Sequence, residues 1–217
     1  MELFCQDADL LRIEPRVFLD GGPCAQALET GADGQIAGAT FTSAGSDFAA
    51  TGVAAGMALR TDAPGDPEGR AVEIVSVDSP TALTVSLSRA SADDDPVPPP
   101  AGTGLSFRVL TCRAQTADVS RELADRLRRA VEAAGVSRAD FADAPQLAAA
   151  CAHGVLAAVF TAAAENASEA DARWLKAEHY RDEYRRRQLR LRLAVDVDAD
   201  GFAERSRTLG HVVLRRV

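Results

Sequence analysis

Residues 143–217 read DAPQLAAACAHGVLAAVFTAAAENASEADARWLKAEHYRDEYRRRQLRLRLAVDVDADGFAERSRTLGHVVLRRV. Two helical patterns are followed here by an alternating one. Leu147, Cys151, Val155 and Val159 recur every four residues, the spacing of an amphipathic helix. Asp143 and Pro145 suit its first turn. Ala148, Ala149, Ala150, Ala152, Ala157 and Ala158 keep it thin, so a neighbour can pack closely. Asn166-Ala167-Ser168 breaks the pattern, and Ser168 with Asp171 caps a second helix. That helix carries Trp174, Ala177, Tyr180 and Tyr184 on one flank and Arg181, Arg185, Arg186, Arg187 and Arg190 on the other. The pair predicts an antiparallel helical hairpin. From Leu189 the period becomes two, through Leu191, Leu193, Val195 and Val197. This predicts a strand, or a helix end that unwinds into one. Asp198-Ala199-Asp200-Gly201 turns the chain. Residues 209–217 form a second apolar-basic run, either the other arm of a β hairpin or a tail.

Upstream, Val119, Leu123, Leu127 and Val131 mark a further amphipathic helix, stopped at Gly135. Ser137 and Asp140 open a short helix after it. Residues 31–112 read as β. Strands are predicted at 39–43, 57–60, 71–77, 82–87 and 105–110, with a turn at Asp78-Ser79-Pro80-Thr81. Residues 64–69 are a turn, and the Asp- and Pro-rich residues 91–103 an exposed loop. The first thirty residues show no clean period, and residues 10–18 read as a short extended element broken by Pro15. The fold class is therefore α+β. A small N-terminal β barrel or sandwich is followed by an α-helical hairpin or bundle with an extended C-terminal β hairpin or tail. Residues 1–112 form a β-rich accessory domain with an N-terminal arm. Residues 113–217 form a helical domain with a C-terminal extension.

A chain of 217 residues buries roughly 70% of its unfolded surface, enough for a core without staples. The net charge is −8 but unevenly spread. Residues 1–110 hold 16 acids against 6 bases, and residues 111–217 hold 16 against 18. An acidic half is a poor nucleic-acid binder. Cys5, Cys24, Cys112 and Cys151 include no Cys-x-x-Cys pair, so they read as unbridged thiols of a reducing compartment rather than zinc ligands or a disulfide framework. No secretion signal is visible, and no stretch approaches the ~20 apolar residues of a membrane span. Synthesis in the cytoplasm is expected.

Little chemistry is written in the motifs. Gly45, Gly52 and Gly56 lack the Gly-Lys-Ser/Thr of a phosphate loop and suit tight barrel corners. Asp196, Asp198, Asp200 and Gly201 match the start of a calcium loop. The place of the bidentate glutamate is taken by Arg207, so an acidic β-turn is the default reading. His153, His179 and His211 are isolated, and His153 suits a satisfied, partly buried position. Seven arginines and Lys176 between Arg173 and Arg192 face three acids. Their plain reading is a solvated face with pairs such as Asp182–Arg186 and Glu183–Arg187. Contact with another subunit comes next, and DNA contact last. No nucleophile–base pair or convergent acid pair is visible, so no catalysis and no cofactor are expected.

Three stretches carry a resemblance. They are residues 41–57 running on to 74–85, the Ala- and Arg-rich helical hairpin, and Asp196 to Gly201 leading into Leu209, Gly210, His211, Val212, Val213, Leu214, Arg215 and Arg216. Together they resemble head–tail connector (adaptor) proteins of tailed bacteriophages and gene-transfer particles. The resemblance implies a structural virion protein of the neck. It would form a ring, commonly a dodecamer, between the portal protein and a tail-side neck protein. DNA would pass through without sequence-specific binding, and no membrane would be involved. On that reading Arg181, Arg185, Arg186 and Arg190 hold neighbouring subunits or the portal, and Leu209, Val212, Val213, Leu214, Arg215 and Arg216 dock on the portal. Compact adaptors lack a β region of this size. The alternative is a soluble calcium-binding or protein-interaction module.

Overall fold

The computed structural model describes residues 3–19, 23, 24, 26–63, 69–133, 144–164, 171–195 and 205–208. The chain divides into two compact units, Gln6–Arg113 and Met1–Cys5 with Ala114–Val217.

The first unit is a closed barrel preceded by a short helix. Its strands are β1 (Ala27–Ala37), β2 (Thr40–Thr42), β3 (Ala58–Asp62), β4 (Arg70–Ser79), β5 (Ala82–Ser86) and β6 (Gly102–Leu110). They run in the order β1-β2-β5-β4-β3-β6, and β6 returns to pair with β1. All neighbours are antiparallel. Closure leaves no edge strand open to another chain. The protein is thus mixed α and β, a barrel first and helices after it. Alternating residues point inward and meet at three phenylalanines. Phe41 and Phe107 lie 5.0 Å apart edge to face, and Phe48 stands 6.1 and 6.2 Å from them. Leu59, Val72, Ile74, Leu83, Val85 and Val109 surround them, all fully buried.

β1 is the strand that periodicity does not reveal. Its sequence, ALETGADGQIA, has few apolar residues because glycines occupy close-approach positions. A Cβ on Gly31 would sit 2.4 Å from the Phe107 ring, and one on Gly34 2.8 Å from the Phe41 ring. The neighbouring aromatics fill the space a side chain would take, and the register shifts beside both glycines. The expected extended element near residue 10 is corrected as well. Asp7–Ile13 is a helix, α1, and Pro15–Phe18 a 3-10 turn. The Asp9 carboxylate accepts from the Gln6 amide at 2.8 Å, which caps the helix start. Leu10, Leu11, Val17 and Phe18 are buried. Pro15 begins a tight turn rather than breaking a strand.

The second unit holds helices α2 (Arg113–Ala133), α3 (Ala144–Ala163) and α4 (Ala172–Arg190). Strand β7 (Arg192–Val195) then pairs antiparallel with β8 (Arg205–Thr208). The α4 helix runs one residue past Leu189, so the period-two run begins later than its alternation suggests. Asp171 is itself the N-cap, accepting from the Arg173 amide at 2.8 Å. Gly135, the segment of Ser137 and Asp140, Asp143, the break at 166–168 and the turn at 64–68 lie outside the described residues.

The alanines of α3 do what their size allows. Val119 of α2 and Tyr184 of α4 both close on Gly154, where a Cβ would stand 2.7 Å from one and 2.9 Å from the other. Phe160 stacks on Tyr180 at 5.6 Å, with Lys176 Nζ 5.2 Å from its ring centre. His153 is buried, with Nδ1 2.7 Å from the Ala149 carbonyl. Its burial holds the imidazole below its ordinary pKa. One expectation about membranes is corrected. Pro145–Ala163 is long and apolar enough to cross one by length and composition, but most of it is buried inside the structure. That is the environment of a core helix.

Candidate functional site

The outward side of α4 concentrates charge and exposed apolar surface. Ala177 and Tyr180 are buried on its inner flank, and Trp174 and Tyr184 are half-buried. The helix geometry then sends Leu175, Asp182, Arg185, Arg186, Leu189 and Arg190 outward, and all six are exposed. Leu175 and Leu189 are each 60% exposed. They are separated by about four turns, roughly 21 Å along one side of the helix.

The arginines between them are largely engaged within the helix. Arg181 pairs with Glu178, and its other terminal nitrogen lies 3.3 Å from Thr161 Oγ1 of α3. Arg185 lies 3.7 Å from Asp182, and Arg186 2.7 Å from Glu183. These pairs are spaced i, i+3, which corrects the expected pairing of Asp182 with Arg186 and Glu183 with Arg187. Both spacings bring side chains together on a helix. With three consecutive arginines, each acid has taken the nearer one. The hydrogen bond from Arg186 holds the Glu183 carboxyl below the usual carboxylate range.

Three acids do not match the cations at the end of the helix. Arg190 has no ion pair among the described residues. Arg187 buries its Nε without a hydrogen-bond partner there. Gln146 from the start of α3 joins Glu183, Arg186, Arg187, Leu189, Arg190 and Leu191 around a groove of about 480 Å³. One carboxylate therefore faces three guanidinium groups and an exposed leucine. Such a groove suits an acidic or carbonyl-rich protein segment, because guanidinium forks bind carboxylates in two-point fashion.

The structure brings Arg186 and Arg190 to this groove. Arg181 turns toward α3, and Arg185 stands exposed beside Asp182. Leu209, Val212, Val213, Leu214, Arg215 and Arg216 lie outside the described residues, as do Asp196, Asp198 and Asp200. Among the described residues no three His, Cys, Asp or Glu side chains gather as metal ligands would. Arg187, Leu175 and Leu189 were not singled out as interface residues from sequence. The signal for the leucines was available: both lie on the arginine side of the helix, away from Trp174, Ala177, Tyr180 and Tyr184.

On the barrel, the loop after β5 is held in place from inside. Arg89 pairs with Glu73 at 2.7 Å, both side chains buried, and donates to the Ala92 and Asp94 carbonyls at 2.7 and 2.5 Å. Asp93, Asp94 and Asp95 are displayed on the outside of that loop. Set beside known proteins, the chain matches no family model, no curated protein and no solved structure.

Proposed function

We propose that this chain is a structural subunit of the neck of a tailed-phage-like particle, a head–tail connector that assembles in a ring between portal and tail. The outward face of α4 supports this best. It combines two strongly exposed leucines with an arginine-rich groove. Apolar anchors beside arginine are the composition of a protein interface, and isolated exposed charges are not. A closed ring needs two different complementary patches on each subunit. The cationic groove supplies one, and the acidic barrel unit carries charge of the opposite sign for the other. Arg185, Arg186 and Arg190 then contact the neighbour, with Arg181 bracing α4 on α3. The extension after β8, with Leu209, Val212, Val213, Leu214, Arg215 and Arg216, adds to a sheet edge or groove of the portal. DNA threads the ring without sequence-specific contact, because a protein of net charge −8 offers it few phosphate partners.

The mass in solution tests this, measured alone and with portal rings. A ring-sized assembly, formed alone or on the portal, is expected. Leu175→Asp with Leu189→Asp should reduce it to monomer without moving the thermal midpoint, because both side chains are exposed. Removing residues 209–217 should abolish co-sedimentation with portal rings. A monomer at every concentration, with or without portal, sinks the reading.

A further inference from the structure

Cysteines far apart in the chain are gathered in space. Cys5 Sγ lies 3.0 Å from Cys151 Sγ, across a separation of 146 positions. Cys5 belongs to a short irregular segment before α1, which packs with the helical unit. The Phe4 amide donates to Ser120 Oγ at 3.1 Å, and the same hydroxyl stands 3.4 Å from Cys151 Sγ. Two sulfurs and a hydroxyl thus meet at one buried point, where Cys5 is 2% and Cys151 0% exposed. A second association exists in the barrel unit. Cys24 donates to the Thr111 carbonyl at 3.2 Å, and a hydrogen bond with the Cys112 side chain holds its thiol below the usual range.

A metal is a poor occupant for the first pair, because zinc asks for about four ligands and no third one converges among the described residues. Two thiols in contact have a simpler chemistry. We propose that Cys5 and Cys151 form a redox-modifiable dithiol that closes to a disulfide on exposure to peroxide. Forming the bond from this contact needs the sulfurs to approach by about 1 Å. Access comes from local opening of the irregular segment, which lies outside any helix or strand and can part from the unit before the unit unfolds.

The chemistry balances in two steps. One thiol loses its proton, and its thiolate attacks a peroxide oxygen. The O–O bond breaks, a sulfenic acid forms, and the released hydroxide takes the proton to become water. The second sulfur then attacks the sulfenyl sulfur. The S–O bond breaks, and the departing hydroxide leaves as water with the second thiol's proton. Two electrons pass from the thiols to one peroxide. The product closes a covalent loop that contains all of the barrel unit and α2. A loop of that length restricts the unfolded chain strongly.

This inference does not rest on the connector reading and needs no partner. The test treats the full chain with hydrogen peroxide, blocks remaining thiols after denaturation, and maps peptides without reduction. A Cys5–Cys151 linked pair is expected, two hydrogens lighter than its separate peptides and released by dithiothreitol. The thermal midpoint of the oxidised protein should rise by roughly 5–10 °C. Cys5→Ser should remove both the linked pair and the rise, and it leaves α3 untouched because Cys5 lies outside every helix. The proposal is overturned if both cysteines still take the alkylating label after peroxide. It is equally overturned if they end as separate oxidised acids, or if either bonds to Cys24 or Cys112 instead.

Discussion

Asp7 is an acid buried against the grain of its chemistry. It accepts from the Thr111 hydroxyl at 2.6 Å and the Cys112 amide at 2.8 Å. Burial nevertheless pushes its pKa up to about 6, against those bonds and the nearby Arg113 charge. The folded barrel therefore holds a proton that the unfolded chain has released above pH 3.8. The stability from this group is fully present below pH 3.8 and is lost as pH rises through about 6. The difference is ~3 kcal/mol. Asp7→Asn should flatten that decline between pH 4 and 7, and an unchanged slope would count against the assignment. The one tryptophan, Trp174, and both tyrosines, Tyr180 and Tyr184, lie outside the barrel unit, so fluorescence does not report on it. Amide hydrogen exchange of β4 and β5 peptides does. The same readout checks Glu73. Removing one partner of a buried ion pair costs about 3–5 kcal/mol, because it strands the other charge. Glu73→Ala should loosen the barrel by that much and open the loop at Asp93 to proteolysis, since Arg89 holds both ends of the contact. A variant as protected as the parent would refute it.

At the scale of elements, close approach decides more than hydrophobicity does. The three helices meet over Gly154, and nine of the twenty residues of the middle one are alanine. Gly154→Val gains a few tenths of a kcal/mol in helix propensity. It also forces branched carbons into Val119 and the Tyr184 ring, and overpacking of that kind costs about 1–3 kcal/mol. The net effect should be a lower denaturant midpoint followed by Trp174 fluorescence. A midpoint at or above that of the parent would mean the helices can part without loss. Gly31 and Gly34 play the same part in β1, where rings from β6 and β2 take the space of the missing side chains. This explains why five strands were legible and the sixth was not. Alternation records inward side chains, and a strand whose inward places are glycine leaves no such record. The α1 helix was misread for a different reason: seven residues are too few for a period to stand out beside a proline.

Across the whole molecule, charge is sorted by unit. Residues 1–110 carry the acid excess, and residues 111–217 are close to balanced. Three of the seven lysine and arginine side chains of α4, Arg181, Arg185 and Arg186, are matched by acids one turn away, and the net charge of −8 repels phosphate from the protein as a whole. Duplex DNA should therefore show no retardation by this protein at physiological ionic strength. Retardation that weakens linearly in log salt would reveal a phosphate-binding surface and contradict this. In the proposed ring, salt should also separate the two contributions to subunit contact. Groove arginines are screened over about 3 Å at 1 M salt, whereas burial of Leu175 and Leu189 is not weakened.

The linear order of residues was sufficient for the α+β class, for the change from strands to helices near residue 112, and for the helical stripes. Each of those follows from a local period and needs no knowledge of distant partners. Barrel closure, the place of β1, the groove that Gln146 forms with the end of α4, and the meeting of Cys5 with Cys151 were settled only in three dimensions. Each depends on which residues far apart in the chain become neighbours, and periodicity within one segment carries no information about that.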